Sequence, residues 1–466
     1  MKKKFKILLV NPWVTDFSLY DFWMKPLGLL ILGSILKKEG YSVYLLDLLD
    51  RHNPFFIKKI NERELRKIKD KKYSTGKFPS REIKKPEVFE GIRRRYKIYG
   101  WYREIVREYL KRKGEFDLIL ITSGMTYWYP GIRETIDFLK EIYPDAVYIL
   151  GGRYVSFCRE HAEKEFGDLQ LVFERNISDI LRKIKEIAGI EIDFAFYKDI
   201  NNIYFDLYLD YPLLKHFAII TSLGCPFKCV YCASKVLFPE FRIFKIDKVI
   251  SEIEKIYRSK NPKELAFYDD ALLYPPGRAK ELLKKLIFKE FNLRIHTPNA
   301  VHARYIDEEM SELMKKANFK TIRIGFETID EEKLKKEWAG KHNLEIFEKA
   351  LYNLRKAGFD EELGAYVLIG LKDDDVDGIL RSYEYLYKLK VKIYPAQFSP
   401  LPNTFYFDFN KDPLLTNKSI YFFGNPEIGF EKYEKLKDFA KILNRNIKTN
   451  YSFKELFQGY LKGYFS

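Results

Sequence analysis

Two hydrophobic periods alternate along most of the chain. The runs Lys6–Val10, Tyr41–Leu46, Asp117–Thr122 and Ala146–Leu150 are short, apolar and rich in leucine and β-branched residues. They stop at Asn-Pro, Asp, Ser-Gly or Gly-Gly, so they read as buried strands rather than helical turns. Pro26-Leu27-Gly28 opens a helical pattern over Leu29–Lys38 that Gly40 stops, and Tyr129–Ile142 carries a second. This alternation, with glycine-bearing loops at strand carboxyl ends, predicts a doubly wound, Rossmann-like parallel sheet over residues 1–195. Residues 51–115 fall between its second and third strands, too long for a plain connection, and are expected to be partly helical.

A second alternation follows. Strand-like runs recur at Phe217–Thr221, Glu264–Tyr268, Leu293–His296, Thr321–Gly325, Gly364–Ile369 and Lys392–Phe398. Amphipathic stretches at Val249–Arg258, Arg278–Phe288, Asp307–Ala317, Leu344–Ala357 and Val376–Leu389 separate them. Six βα units predict a partial (β/α)6 TIM-like barrel over residues 211–410, with chemistry at strand carboxyl ends. Residues 411–466 lack strand signals and read as a short helical C-terminal cap. The fold class is therefore α/β.

Composition narrows the partners. No apolar run approaches the roughly 18 residues of a membrane helix. The basic start Met1–Lys6 is followed by too short an apolar stretch for a signal peptide, so a cytoplasmic location is expected. Of the 466 residues, 82 are Lys or Arg and 66 Asp or Glu, a net charge of +16. Most of that excess sits in residues 51–115, with 22 basic against 9 acidic side chains. Lys and Glu abound while Gln is scarce, a bias of heat-stable proteins, so a nucleic-acid partner is not the leading expectation. The segment Lys84 to Tyr96 suits an anionic ligand or a solvated face equally.

The candidate chemistry lies in the cysteines. Of four, Cys225, Cys229 and Cys232 stand on one loop with C-x3-C-x2-C spacing, directly after the first barrel strand. A closed structural zinc site needs four ligands, and Cys158 is 67 residues upstream in the other unit. Three thiolates suit an iron–sulfur cubane with one iron left for a ligand that is not protein. Cys158 and His161 are too few ligands for a second site.

The loop Gly224-Cys225-Pro226-Phe227-Lys228-Cys229-Val230-Tyr231-Cys232 resembles the signature of the radical S-adenosylmethionine (SAM) superfamily. Later segments resemble its cobalamin-associated branch in order: Phe267-Tyr268-Asp269-Asp270, Ile324-Gly325-Phe326-Glu327-Thr328, Val367 to Leu371, and Phe398-Ser399-Pro400-Leu401-Pro402-Asn403-Thr404. Two departures stand out. Lys372-Asp373 replaces the branch's Pro-Gly, and Asn403 replaces a glycine, a mild change because Asn tolerates left-handed φ.

The resemblance implies a 4Fe-4S cluster on Cys225, Cys229 and Cys232. One electron would cleave SAM to a 5′-deoxyadenosyl radical. SAM would meet Asp269 or Asp270, or backbone beside them, at its ammonium, Glu327 at its ribose, and the backbone of Tyr231, Ile369 and Gly370 at its adenine. Asp-Asp also suits a plain turn, and Glu327 a surface ion pair. Asn11, Gly28, Thr122, Ser123, Gly151 and Gly152 resemble strand-end positions of a cobalamin-binding domain, or of an ordinary doubly wound one. Asp50-Arg51-His52 resembles the start of a cobalt-ligating Asp-x-His-x-x-Gly, but it follows the second strand and Phe55 stands where Gly is required, so His52 is not assigned to cobalt.

The implied activity is cobalamin-dependent methyl transfer to an unactivated centre of an unidentified substrate. A flavodoxin or ferredoxin would serve as reductant. Two alternatives are a radical SAM enzyme with a vestigial cobalamin domain performing cyclisation or sulfur insertion, and a nucleic-acid-binding module with a structural cluster.

Overall fold

The structure is a computed structural model that describes residues 5–336, 343–360, 363–404, 412–417, 419–422 and 424–460. The chain divides into two compact units: Met1–Ile219 with Asp247–Leu265 and Asp412–Leu414, and Ile220–Ile246 with Ala266–Lys411 and Leu415–Ser466. No described helix is long and apolar enough to cross a membrane.

The first unit is built on strands β1 (Lys6–Asn11), β2 (Ser42–Asp47), β3 (Leu118–Ser123), β4 (Val147–Gly152) and β5 (Gln170–Leu171). Their order is β5-β4-β3-β1-β2, with parallel pairing between neighbours. The fifth strand is absent from the sequence reading because two residues carry no period. From β1 the chain passes to β2 on one side and later to β3 on the other. That reversal between β1 and β3 is the switch point at which doubly wound sheets bind ligands. Helices α1 (Leu27–Lys38) and α2 (Tyr129–Lys140) carry Leu30, Ile35, Leu36, Ile132, Ile136 and Leu139 at helical spacing, all buried.

The basic insertion is only partly helical. Its helices are short apart from Arg103–Lys111. Much of the rest pairs as small antiparallel ladders: Val14–Asp16 with Lys97–Tyr99 and then Ser80–Glu82, and Tyr20–Asp21 with Gly76–Lys77. Gly76, Pro79 and Pro86 interrupt helix here, and Ile98 and Tyr99 gain burial by pairing.

A six-stranded sheet follows in sequence order: β6 (His216–Ile219), β7 (Glu264–Phe267), β8 (Arg294–His296), β9 (Phe319–Glu327), β10 (Leu363–Ile369) and β11 (Lys392–Gln397). Pairing from β8 to β11 is parallel. The helices between strands are α3 (Ile246–Lys260), α4 (Pro276–Phe288), α5 (Glu308–Lys316), α6 (Leu344–Lys356) and α7 (Val376–Lys388). This is the partial (β/α)6 barrel expected from the periodicity.

Asp307, Asn343 and Asp375 cap α5, α6 and α7 by accepting from backbone N–H groups three residues on. Helix α6 buries Phe347, Ala350, Leu351 and Leu354, a single apolar stripe. After the barrel come α8 (Gly429–Asn446) and α9 (Phe453–Tyr460). Asn444 of α8 accepts from the Ile393 N–H at 2.7 Å and donates to the Ile393 carbonyl at 2.7 Å, satisfying backbone groups of edge strand β11.

Candidate active site: a three-cysteine loop held by an acidic pair

Beyond β6 the chain makes an excursion whose base is a two-residue antiparallel ladder, Ser222–Leu223 with Arg242–Ile243. Gly224, at φ 81°, turns the backbone from that ladder into the cysteine segment. Cys225 is buried, Cys229 half-buried and Cys232 exposed, and all three lie outside any disulfide. The Cys232 N–H donates to the Cys229 carbonyl at 3.1 Å, which bends the C-x2-C segment into a turn. The Ser234 N–H donates to Cys232 Sγ at 3.4 Å. Cys229, Val230 and Tyr231 pack with Leu368 against buried Leu334, Leu371 and Phe398. Among the described residues, no group of three His, Cys, Asp or Glu is arranged to hold a metal ion. The case for a cluster therefore rests on the donor set: three thiols on one loop, with Cys229 packed against apolar side chains.

Asp269 and Asp270 follow β7. The Asp269 carboxylate is 2% exposed and accepts from the Thr221 N–H, the Thr221 hydroxyl and the Ser222 hydroxyl, at 2.9, 2.7 and 2.7 Å on Oδ1. Burial pushes it up to about 6 against those donors. Asp270 accepts from the Ser234 hydroxyl at 2.6 Å.

Glu327 ends β9 at a register shift and is 7% exposed. Its φ of 67° is left-handed, a strain of about 1 kcal/mol for a residue with a Cβ. The Tyr231 hydroxyl donates to it. Burial first, and then Glu327, hold the Tyr231 phenol well above its usual range.

At the end of β10, Ile369 is fully buried and its carbonyl accepts from the Phe398 N–H at 2.9 Å. Gly370 takes φ 95°, and its N–H donates to Asp374 at 2.6 Å. Asp374 also accepts from the Leu371 N–H and the Tyr433 hydroxyl, each at 3.1 Å. That carboxylate closes the turn in which Lys372-Asp373 stands for Pro-Gly, and Lys333 pairs with Asp373 at 2.8 Å. Asn403 adopts φ 65°, as its substitution for glycine requires.

In the first unit, Asn11, Thr122, Ser123, Gly151 and Gly152 all stand at carboxyl ends of β1, β3 and β4. Asn11 donates to Asp47 at 2.6 Å, and Ser123 to the Gly151 carbonyl at 2.7 Å. Gly152 takes φ 100°, and a Cβ there would lie 2.5 Å from the Ser123 carbonyl oxygen. Gly28, in the first turn of α1, faces open space. His52 is held by Asp70 at 2.7 Å, while Arg51 bridges Asp21 and Asp70. Cys158 is buried and its thiol pushed up to about 12, and His161 bonds Tyr154 at 2.7 Å.

Residues 219–383 match the family described as the Radical SAM superfamily. This segment is a radical SAM domain. The chain is 23% identical over 318 residues to bacteriochlorophyllide d C-12(1)-methyltransferase of Chlorobaculum tepidum, covering 64% of this chain and 68% of that one. Its fold is that of the radical SAM methyltransferase TsrM from Kitasatospora setae, solved with cobalamin and a [4Fe-4S] cluster. The TM-score is 0.59 at 15% identity, covering 86% of this chain and 74% of that one. It is also similar to the cobalamin-dependent radical enzyme OxsB, solved with aqua-cobalamin, with a TM-score of 0.56 at 14% identity over 98% of this chain and 58% of that one.

Sequence reasoning missed the supports of the cysteine loop, Thr221, Ser222, Ser234 and Arg278, and those of the turn after β10, Asp374 and Tyr433. Only the hydroxyl pair beside the cysteine signature offered a signal, and hydroxyls occur too widely to single out.

Proposed function

We propose that this chain is a cobalamin-dependent radical SAM methyltransferase. The observation that carries the reading is the trio of cysteines Cys225, Cys229 and Cys232 on one loop, within the segment that matches the superfamily. Three thiolates are one ligand short of a filled cubane, so a 4Fe-4S cluster held there keeps one iron for the amino and carboxylate groups of SAM. When bound, the cluster supplies the electron that cleaves the sulfonium to a 5′-deoxyadenosyl radical, and cobalamin supplies a methyl carrier.

The chain's own residues bind and shield. Glu327, held at a strained strand end beside Tyr231, accepts from the ribose hydroxyls. Backbone at Tyr231, Ile369 and Gly370 borders the adenine, and backbone beside Asp269 and Asp270 receives the ammonium. Leu334, Leu371 and Phe398 cover the Cys229–Tyr231 side of the cysteine loop.

The reversal of strand order beside Asn11, Thr122 and Ser123, with Gly151 and Gly152 at the end of β4, and the open space at Gly28 support a bulky cofactor in the first unit, although Gly152 is also required by its close approach to Ser123. The methyltransferase names of relatives, and the cobalamin in TsrM and OxsB, support the same reading. His52 follows the second strand and Phe55 stands where a cobalt-ligating motif requires Gly, so His52 is not assigned to cobalt. The substrate is unidentified, and a flavodoxin or ferredoxin supplies electrons.

The test is anaerobic reconstitution with iron and sulfide, followed by titration with hydroxocobalamin. The expected result is a cluster, a cobalt absorbance that survives desalting, and 5′-deoxyadenosine from SAM that disappears in Cys229→Ala. Deoxyadenosine without retained cobalamin would favour cyclisation or sulfur insertion. Deoxyadenosine formed undiminished by Cys229→Ala would reject the radical assignment.

A further inference from the structure

The acidic pair Asp269-Asp270 sits where resemblance expects a SAM contact, yet both carboxylates are engaged with the two ends of the cysteine excursion. On the leading side Asp269 takes two donors from Thr221 and one from Ser222, three residues before Cys225. Three donors already crowd Oδ1, the second oxygen shares the Thr221 N–H at 3.1 Å, and the side chain is almost fully buried. Little acceptor capacity is left for an ammonium group.

Arg278 of α4 works on the same strip. Its guanidinium donates to the Thr221 and Phe244 carbonyls, each at 2.8 Å, and the Phe244 N–H donates to the Thr221 carbonyl at 3.0 Å. The start and finish of the excursion are thus tied together at its base. On the trailing side Asp270 accepts from the Ser234 hydroxyl, and the N–H of that same serine donates to the Cys232 sulfur.

We propose that Asp269 and Asp270 are positioning residues for the cysteine loop: Asp269, with Arg278, fixes its leading end, and Asp270 acts through Ser234 to aim an N–H at the Cys232 sulfur. The physical need is plain. Three thiolates close enough to share a cluster repel one another before the metal arrives, so the backbone between them must be held by contacts outside the loop. A buried carboxylate is suited to gather one N–H and two hydroxyls, because it is acceptor-only. An amide at 269 would set an NH2 group against one of those donors. Hydrogen bonds to cluster sulfurs raise the reduction potential by favouring the more negative reduced state, so Ser234 tunes as well as holds.

This inference rests on the cluster assignment above, and the experiment separates the two. Wild type, Asp269→Asn, Ser222→Ala and Ser234→Ala are reconstituted anaerobically. Iron per chain, the electron paramagnetic resonance spectrum and midpoint potential of the reduced cluster, and SAM affinity of the cluster-loaded fraction are then measured.

Asp269→Asn is expected to weaken iron binding by about tenfold, the usual scale for losing an outer-shell support, with SAM affinity of the loaded fraction unchanged. Ser222→Ala, which removes one hydroxyl and leaves the other two donors to Asp269 in place, moves iron retention the same way by less. Ser234→Ala alters the spectrum and makes the midpoint potential more negative. Wild-type iron, spectra and potential in all three variants would overturn the proposal. So would a loss confined to SAM affinity in Asp269→Asn, which would make Asp269 a SAM ligand. If wild type itself takes up no cluster, it is the proposed function that fails.

Discussion

Asp374 offers a test with a sign and a size. Its carboxylate closes the turn after β10 by accepting from the Gly370 and Leu371 N–H groups and from Tyr433. Burial pushes it from 3.8 up to about 6, outweighing those donors. At 7% exposure, solvent screens little of this effect. A rise of roughly two units corresponds to about 3 kcal/mol of preference for the protonated form in the folded chain. Because the folded pKa is the higher one, this stabilisation is complete below about pH 4 and lost as pH rises through about 6.

The variant Asp374→Asn removes the titration and keeps the volume. Urea unfolding of wild type and variant, followed by fluorescence from about pH 4 to about pH 7, cancels the other titrating groups in the difference. Wild type should lose about 3 kcal/mol relative to Asp374→Asn across that range. A flat difference, or one in which wild type gains with rising pH, would refute the reasoning.

Two further outcomes follow from single positions. Gly152→Ala places a methyl 2.5 Å from the Ser123 carbonyl at a φ of 100°, so it should cost about 3 kcal/mol by combining overpacking with backbone strain. A urea midpoint unchanged from wild type would contradict it. Glu327→Gln keeps the strained turn while removing the charge that receives hydroxyl donors, so SAM binding to the reconstituted enzyme should weaken by about tenfold with iron content unchanged. Equilibrium dialysis reads the first quantity and iron assay the second.

The sequence by itself determined the long periodic elements and the cysteine triad. Residues such as Phe347, Ala350, Leu351 and Leu354 declare a helix because burial of one stripe is a local, periodic requirement. Cys225, Cys229 and Cys232 stand out as candidate ligands because all three fall within one loop. Asn403 declared its left-handed turn for the same local reason.

What only the tertiary structure decided are the partners of polar groups far apart in the chain. Asp269 meets Thr221 across 48 residues, Asp270 meets Ser234 across 36, and Asp374 meets Tyr433 across 59. The small ladders that pair Val14–Asp16 with Lys97–Tyr99 belong to the same class. A carboxylate accepts from any donor brought to it, so its sequence neighbourhood carries no mark of which donor that is. The order of the strands makes that choice, and it brings the acidic pair to the cysteine loop.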